Sequence, residues 1–321
     1  LDLGGTKIAG AIVTPDGEVR TRRELPTPKE PEAVIAVLAK TAEELCSEAR
    51  LELSELAGVG VGVPGPVDFA QGVMVDPPNL PGFGRLPLGA LLGARLGLGV
   101  ALDNDANAAG LGEARYGAGQ GASPLIYLTV STGIGGAILL DGELMRGASG
   151  AAGELGHLVI QPGGPRCGCG GRGCLEAVAS GTAIAREARA AIERGEPSLL
   201  LGPGGQAPAS ISAREVAEAA ATGDALCQRV LAEAFTLLGL GVASLVNALN
   251  PERVVVGGGL SALGDGLLGP IRDGIGRHSN RVAASAVTVT RAALGRDAGV
   301  VGAAALAMPK LRRIHSGGGP R

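Results

Sequence analysis

The sequence predicts an α/β protein of about two domains, on three observations. Short β-rich apolar runs alternate with segments of helical periodicity along the chain. Its 321 residues correspond to about two domains at roughly 150 residues each. A strand, glycine turn, strand pattern occurs at 1–17 and again at 125–142, as in an internal duplication.

Leu1–Leu3 and Ile8–Val13 flank Gly4-Gly5 and read as a hairpin closed by Pro15-Asp16-Gly17. Val34, Val37, Leu38, Ala42 and Leu45 give Pro31–Leu51 one apolar helical face. Val59–Val63 is a buried strand ending at Pro64-Gly65-Pro66, and Leu88–Leu96 is a short helix. Val100–Leu102 is a strand that stops at Asn104-Asp105, before helix Ala106–Tyr116. Leu125–Val130, a turn over Ser131-Thr132-Gly133-Ile134-Gly135-Gly136, and Ala137–Leu140 repeat the first hairpin. Helices are expected over Thr182–Arg194, Ala213–Thr222 and Asp224–Ala248. Strand Arg253–Val256 runs into Gly257-Gly258-Gly259 and a helix, then strand Val287–Thr290 and helix Ala298–Met308. Glu196–Ala209 reads as a surface loop, the tail from Arg312 as polar and frayed, and His278 and His315 as solvated.

Composition excludes several classes. Apolar residues make up 45%, charged residues 18%, and mean hydropathy is +0.28, which is incompatible with intrinsic disorder. No uninterrupted apolar run reaches the about 18 residues of a membrane span. The 28 basic and 31 acidic residues leave a net charge of −3, with no surplus to neutralise a nucleic-acid backbone. Trp is absent, so base-stacking platforms are scarce. Five cysteines, three of them clustered, do not form a secreted disulfide pattern, and cytoplasm is the expected compartment. Cys46 and Cys227 sit on apolar helical faces as small hydrophobes. The chain opens inside a strand-like motif, so a few residues of that strand are expected to precede Leu1.

Four clusters carry chemistry. In Asp2-Leu3-Gly4-Gly5-Thr6-Lys7, the glycines let backbone N–H groups face a phosphate, Thr6 adds a donor, and Lys7 a positive charge. Asp2 is placed to hold Mg²⁺ directly or through water. The alternative is an ordinary glycine turn, but the second turn, with Thr132 and Gly133, supplies what phosphates lying between two domains need. Gly258 sits in a third glycine cluster between strand and helix, a seat for a nucleotide. In Asp103-Asn104-Asp105-Ala106-Asn107, Asp105 is placed to accept a proton from a hydroxyl attacking a phosphoryl group. Helix capping by Asp103 or Asn104 is the plainer reading, and both can hold.

His157, Cys167, Cys169 and Cys174 form an H-x9-C-x-C-x4-C set. One imidazole and three thiolates suit a closed tetrahedral Zn²⁺ site with no open position, hence a structural one. Free thiols or a redox C-x-C pair are the alternatives. Glu154 and Glu176 flank the loop. Their carboxylates suit adjacent hydroxyls of a polyol, and the alternative is a pair of surface glutamates.

The motifs together resemble the ROK family of sugar kinases and repressors, and within it the bacterial glucokinases. The resemblance runs over D-L-G-G-T-K at 2–7, V-G-V-P-G-P-V at 61–67, P-N-L-P-G-F at 78–83 and N-D-A-N at 104–107. It continues over T-V-S-T-G-I-G-G at 129–136, E-L-G-H at 154–157, C-G-C-G-G-R-G-C-L-E at 167–176 and N-P-E-R-V-V-V-G-G-G-L at 250–260. It implies an actin-like, hexokinase-type (ribonuclease H-like) ATPase fold with two α/β domains around a cleft. The small domain would comprise 1–105 plus about 298–321, and the large one, with the zinc loop, about 106–297. It implies ATP and Mg²⁺, and phosphoryl transfer to a hexose 6-hydroxyl, glucose first, with fructose, mannose or an N-acetylhexosamine as alternatives. By position, Asp105 resembles the general base. Gly65, Asn104, Asp105, Glu154, His157 and Glu176 resemble sugar contacts. Asp2, Gly4, Gly5, Thr6, Lys7, Thr132, Gly133 and Gly258 resemble nucleotide contacts, and His157, Cys167, Cys169 and Cys174 the zinc ligands. Ser131 and Ala137 stand where many members have Gly. A homodimer is implied, with a tetramer as the alternative. ROK repressors add an N-terminal helix-turn-helix, so that reading needs a domain upstream of Leu1.

Overall fold

Two five-stranded sheets share one strand order. The computed structural model describes residues 1–77, 79–202, 208 and 210–308. β1 (Asp2–Leu3) pairs antiparallel with β2 (Lys7–Val13), which pairs antiparallel with the edge strand β3 (Val19–Pro26). After α1 (Pro31–Ala49), β4 (Val59–Val63) returns parallel to β1. A small antiparallel flap of β5 (Val67–Asp68), β6 (Val73–Val75) and β7 (Arg85–Leu86) follows. Then come α2 (Leu88–Leu96) and β8 (Val100–Asn104), parallel to β4. α3 (Asp105–Tyr116) leads to the second sheet.

There, β9 (Leu125–Val130), β10 (Ile134–Leu140) and β11 (Glu143–Leu144) form an antiparallel meander. Next are α4 (Leu175–Ala179), α5 (Gly181–Glu193), α6 (Ala213–Ala221) and α7 (Ala225–Leu249). β12 (Arg253–Gly257) lies parallel to β9; α8 (Asp265–His278), α9 (Arg281–Ala286), β13 (Thr288–Arg291) and α10 (Ala298–Ala307) complete the chain. The orders β3-β2-β1-β4-β8 and β11-β10-β9-β12-β13 match strand for strand, so the duplication read from the glycine turns extends to whole sheets.

Each sheet has its own apolar core. Val34, Leu38, Val61, Val63 and Leu88 are fully buried around the first. Ile126, Leu128, Leu238, Val242 and Val254 are buried around the second. α3 and α10 join them: Ala109, Leu111, Ala298 and Ala305 pack with Tyr127, Ala137 and Val255 of the second sheet. α10 also crosses β4 at Gly60 and α3 at Gly302. A methyl at Gly302 would lie 1.7 Å from the Ala108 carbonyl oxygen, so only glycine permits this spacing. Cys46 and Cys227 are buried, and His278 is exposed. α7 is long and apolar enough to cross a membrane by length and composition, but 56% of its most apolar window is buried inside the fold. Leu226, Val230, Phe235, Leu238, Val242, Leu245 and Val246 are core, whereas Leu231, Leu237, Leu240 and Leu249 are half-buried.

Several elements depart from expectation. β3 reads Val-Arg-Thr-Arg-Arg-Glu-Leu-Pro, a charged pattern that suits an edge strand but carries little apolar alternation. The flap strands are two or three residues long, too short for periodicity to register. α4 and α9, of five and six residues, are also too short to register. After the third glycine cluster, a short 3₁₀ turn over Gly259–Leu263 intervenes before α8. The expectations for the tail, for His315, for residues 309–321 of the small domain and for part of the 196–209 loop lie outside the described residues.

Candidate active site

A cleft of about 950 Å³ lies where the ends of the two sheets face one another. Its wall includes Asp2, Gly65, Asn104, Asp105, Thr132, Gly133, Glu154, His157, Cys167, Cys169 and Glu176. Residues far apart in sequence thus converge on one space. Gly4, Gly5, Thr6 and Lys7 form the β1–β2 turn and are not part of the wall. Thr27 clamps this turn: its hydroxyl donates to the Gly4 carbonyl at 2.7 Å, and its N–H to that of Thr6 at 3.0 Å. Gly5 passes so close to Asn79 that a methyl would sit 2.8 Å from the Asn79 Cβ. Lys7 is exposed and paired with Glu24 at 3.0 Å. Gly258 is also off the wall. It has φ 81°, and a side chain there would collide with the Val130 backbone.

Asn104 and Asp105 sit where β8 becomes α3. Asn104 caps the helix, its Oδ1 accepting N–H bonds from Ala106 at 2.9 Å and Asn107 at 3.3 Å. Its Nδ2 donates to the Gly65 carbonyl at 3.2 Å, which joins two of the expected sugar contacts. The cap frees Asp105 to face the cleft, with Oδ1 accepting from Ala106 N–H at 2.7 Å. Burial, then the negative charges of Asp2 and Glu154, push the Asp105 carboxyl up to about 7. Asp2 lies across Gly62 from Asp105, on the adjacent strand, and burial raises its carboxyl too. No hydrogen bond or ion pair holds the Asp2 side chain among the described residues, leaving a carboxylate that suits a hydrated Mg²⁺.

The ligating atoms of His157, Cys167, Cys169 and Cys174 all lie within 4.8 Å of one another. Cys169 Sγ is 3.7 Å from Cys174 Sγ, and Cys167 Sγ is 3.6 Å from His157 Nδ1. Tetrahedral zinc with thiolate bonds of about 2.3 Å has S···S edges of about 3.8 Å, so the donors fit that ion. Burial pushes the Cys167 thiol up to about 12 and also raises that of Cys174, whereas the Gly171 N–H lowers that of Cys169. A divalent cation would bind all three as thiolates. Gly173, at φ 71°, lets the loop turn where any side chain would strike the Gln161 carbonyl. With Nδ1 facing the thiols, His157 Nε2 lies 3.8 Å from Glu154 Oε2.

Glu176 connects these parts. Its Oε2 accepts from Ile134 N–H at 3.0 Å, and Cys167 Sγ lies 3.7 Å from Oε1. The second glycine turn is tied from its other side by α5, where Gly181 N–H donates to Ser131 O at 2.8 Å and Thr182 Oγ1 to Thr132 O at 2.8 Å.

One feature has no counterpart in the sequence reading. Asp103 does not cap α3; it is buried and bound by Arg146, whose Nε and Nη2 lie 2.8 and 2.7 Å from Oδ2. The only advance signal is the carboxylate beside Asn104-Asp105. A partner 43 residues away is visible only after folding. Asp76, Asn79, Arg166 and Arg186 also line the cleft; none of them was assigned a role from the sequence, although Asn79 lies within the P-N-L-P-G-F motif.

Two sheets of one strand order, with the ends of both lining a shared cleft, define an actin-like ATPase fold. The ROK family matches residues 1–310, and the chain belongs to that family. It is similar to a glucokinase of Thermotoga maritima, 36% identical over 97% of both chains. Among solved structures, a ROK hexokinase from Thermus thermophilus is 40% identical with a TM-score of 0.80, covering 95% of each chain. A ROK glucokinase from Streptomyces griseus, solved with glucose and AMPPNP, is 36% identical with a TM-score of 0.81, covering 95% of this chain and 97% of that one.

Proposed function

We propose that this chain is an ATP-dependent hexose kinase that transfers the γ-phosphoryl group of ATP to the 6-hydroxyl of glucose, giving glucose 6-phosphate and ADP. The observation that carries the reading is Asp105: a carboxyl with its pKa raised to about 7, at a helix start in a cleft, beside hydroxyl-binding groups and facing a glycine turn. Asp105 accepts the 6-hydroxyl proton as the oxygen attacks phosphorus. Glu154, Glu176 and His157 Nε2 bind the remaining hydroxyls, with the Asn104 amide and the Gly65 backbone. Such bonds fix the attacking oxygen, and much of the acceleration of phosphoryl transfer is positioning.

The turns at 4–7 and 131–133, with Gly258, hold the nucleotide from the two lobes. Lys7 exchanges its exposed Glu24 partner for phosphate at little cost, because exposed ion pairs contribute only about 0–1 kcal/mol. Mg²⁺, held through Asp2, would neutralise charge on the phosphates. Zinc on His157, Cys167, Cys169 and Cys174 braces the loop that carries Glu154 and Glu176. A small domain of 1–105 with 298–321, a large one of 106–297, a homodimer and a cytoplasmic location belong to the same reading. The domain division is supported by the two cores, the homodimer rests on the family resemblance, and the cytoplasmic location on the cysteine pattern.

A coupled assay across glucose, fructose, mannose and N-acetylhexosamines tests the proposal. Glucose should give the highest kcat/KM, and preference for another sugar replaces it as substrate. Asp105→Asn should bind glucose normally and lose about 10²–10⁴-fold in kcat. Turnover near that of the unaltered enzyme would refute Asp105 as base.

A further inference from the structure

We propose that Arg146 is a positioning residue: by gripping the buried Asp103 it fixes the hexose-binding Glu154 loop against the strand end that carries Asp105. The proposal rests on the hexose kinase reading of the cleft.

Arg146 follows β11 of the second sheet, eight residues before Glu154. Asp103 is the penultimate residue of β8 in the first sheet, two residues before Asp105. The Asp103 side chain is 4% exposed and that of Arg146 24%. Both Asp103 oxygens are committed. Oδ2 takes Arg146 Nε and Nη2, while Oδ1 takes Asn104 N–H at 2.8 Å and Asn107 Nδ2 at 2.9 Å. The same carboxylate therefore orients the α3 start and the incoming loop. The Arg146 guanidinium also lies over the Phe69 ring, 4.6 Å from its centroid, so the flap between β5 and β6 backs the contact. At the other end of the loop, Gly153 passes so close to α3 that a methyl there would lie 3.3 Å from Asn107 Oδ1, a buried acceptor with no hydrogen-bond partner among the described residues.

A buried ion pair adds little net stability over a well-packed apolar pair, because desolvation offsets the Coulomb attraction. What it supplies here is direction. Arg146 has a planar, forked head, and its Nε and Nη2 converge on the one Asp103 oxygen that the α3 start does not use. That places Glu154 relative to Asp105 across the seam between the sheets, while the nucleotide turns lie elsewhere.

The test compares Arg146→Met/Asp103→Asn, which removes both charges together, with Arg146→Lys, which keeps the charge and loses the fork. Both should retain the unaltered thermal transition to within a few degrees. Both should raise the glucose KM, the double variant about tenfold or more, and lower kcat by up to about 10²-fold, as expected of a misplaced reacting group. The ATP KM should stay within about twofold, since the nucleotide turns are untouched. Unaltered glucose KM and kcat in either folded variant would overturn the proposal. So would equal rises in both KM values, the mark of general cleft distortion. If the double variant fails to fold, Arg146→Lys decides alone. A folded unaltered protein without hexose kinase activity is a separate result: it removes the underlying reading, and the proposal with it.

Discussion

Glu176 Oε2 accepts the backbone N–H of Ile134 at 3.0 Å, so the helix behind the thiol loop holds the second glycine turn in place. On the proposed assignment, one carboxylate thereby serves both the sugar side and the phosphate side of the cleft. Glu176→Gln keeps an oxygen acceptor for Ile134 and should raise mainly the glucose KM, by about tenfold, through loss of charge-assisted bonds. Glu176→Ala removes the tie and should raise the ATP KM as well. Initial rates with each substrate varied distinguish them, and an unaltered ATP KM in the alanine variant would show that the tie does not organise the turn.

As the proposed base, Asp105 should set the pH dependence. A base must be unprotonated to act, so kcat/KM for glucose should climb with pH and level off above about 7. The stability effect has the opposite slope. The folded carboxyl titrates near 7 against 3.8 when free, so the folded state holds its proton more tightly. That contribution is complete below about pH 4 and is lost as pH rises through 7. Asp105→Asn should therefore melt above the unaltered protein at pH values over 7, with the advantage vanishing in acid. Equal melting temperatures across that range would mean the carboxylate is not desolvated.

Metal content can be tested directly. Intact protein should carry about one zinc per chain. Cys169→Ser should lose the metal and raise the glucose KM, because Glu154 and Glu176 both stand on the loop it braces. Elemental analysis beside the kinetic assay decides this. Full activity in metal-free protein would remove zinc from the account of sugar binding.

Gly302→Ala probes the crossing of α10 and α3. The added methyl points at the Ala108 carbonyl from 1.7 Å, and backbone cannot yield without parting the helices. A loss of about 1–3 kcal/mol is expected in denaturant unfolding. Unaltered stability would show that this contact has slack.

Much of this was legible in the sequence because it was written in local chemistry. The buried strand Val59–Val63 and helix Leu88–Leu96 fall where the apolar pattern places them. The repeated glycine turns marked a duplicated hairpin, which the structure extends to two sheets of one order. The thiol cluster was legible because three soft ligands within eight residues have few other uses. What escaped depends on distance or brevity. The charges of β3 make sense only at a sheet edge. The flap strands are shorter than any period. The Asp103–Arg146 pair joins the end of β8 to the segment after β11, and neither residue type signals a distant partner. Lys7, read for its charge, meets Glu24 because a neighbouring strand brings that carboxylate alongside.

The wedging of α10 against β4 and α3 has a consequence for synthesis of the chain. The sheet begun by the earliest residues carries α1 and α2 but lacks the last of its covering helices until positions 298–307 leave the ribosome. The later lobe, contiguous from β9 to β13, can assemble first. The beginning of the polypeptide must then wait for its end, so a ribosome stalled before the last helix would release an enzyme with half of its nucleotide-binding architecture unsupported.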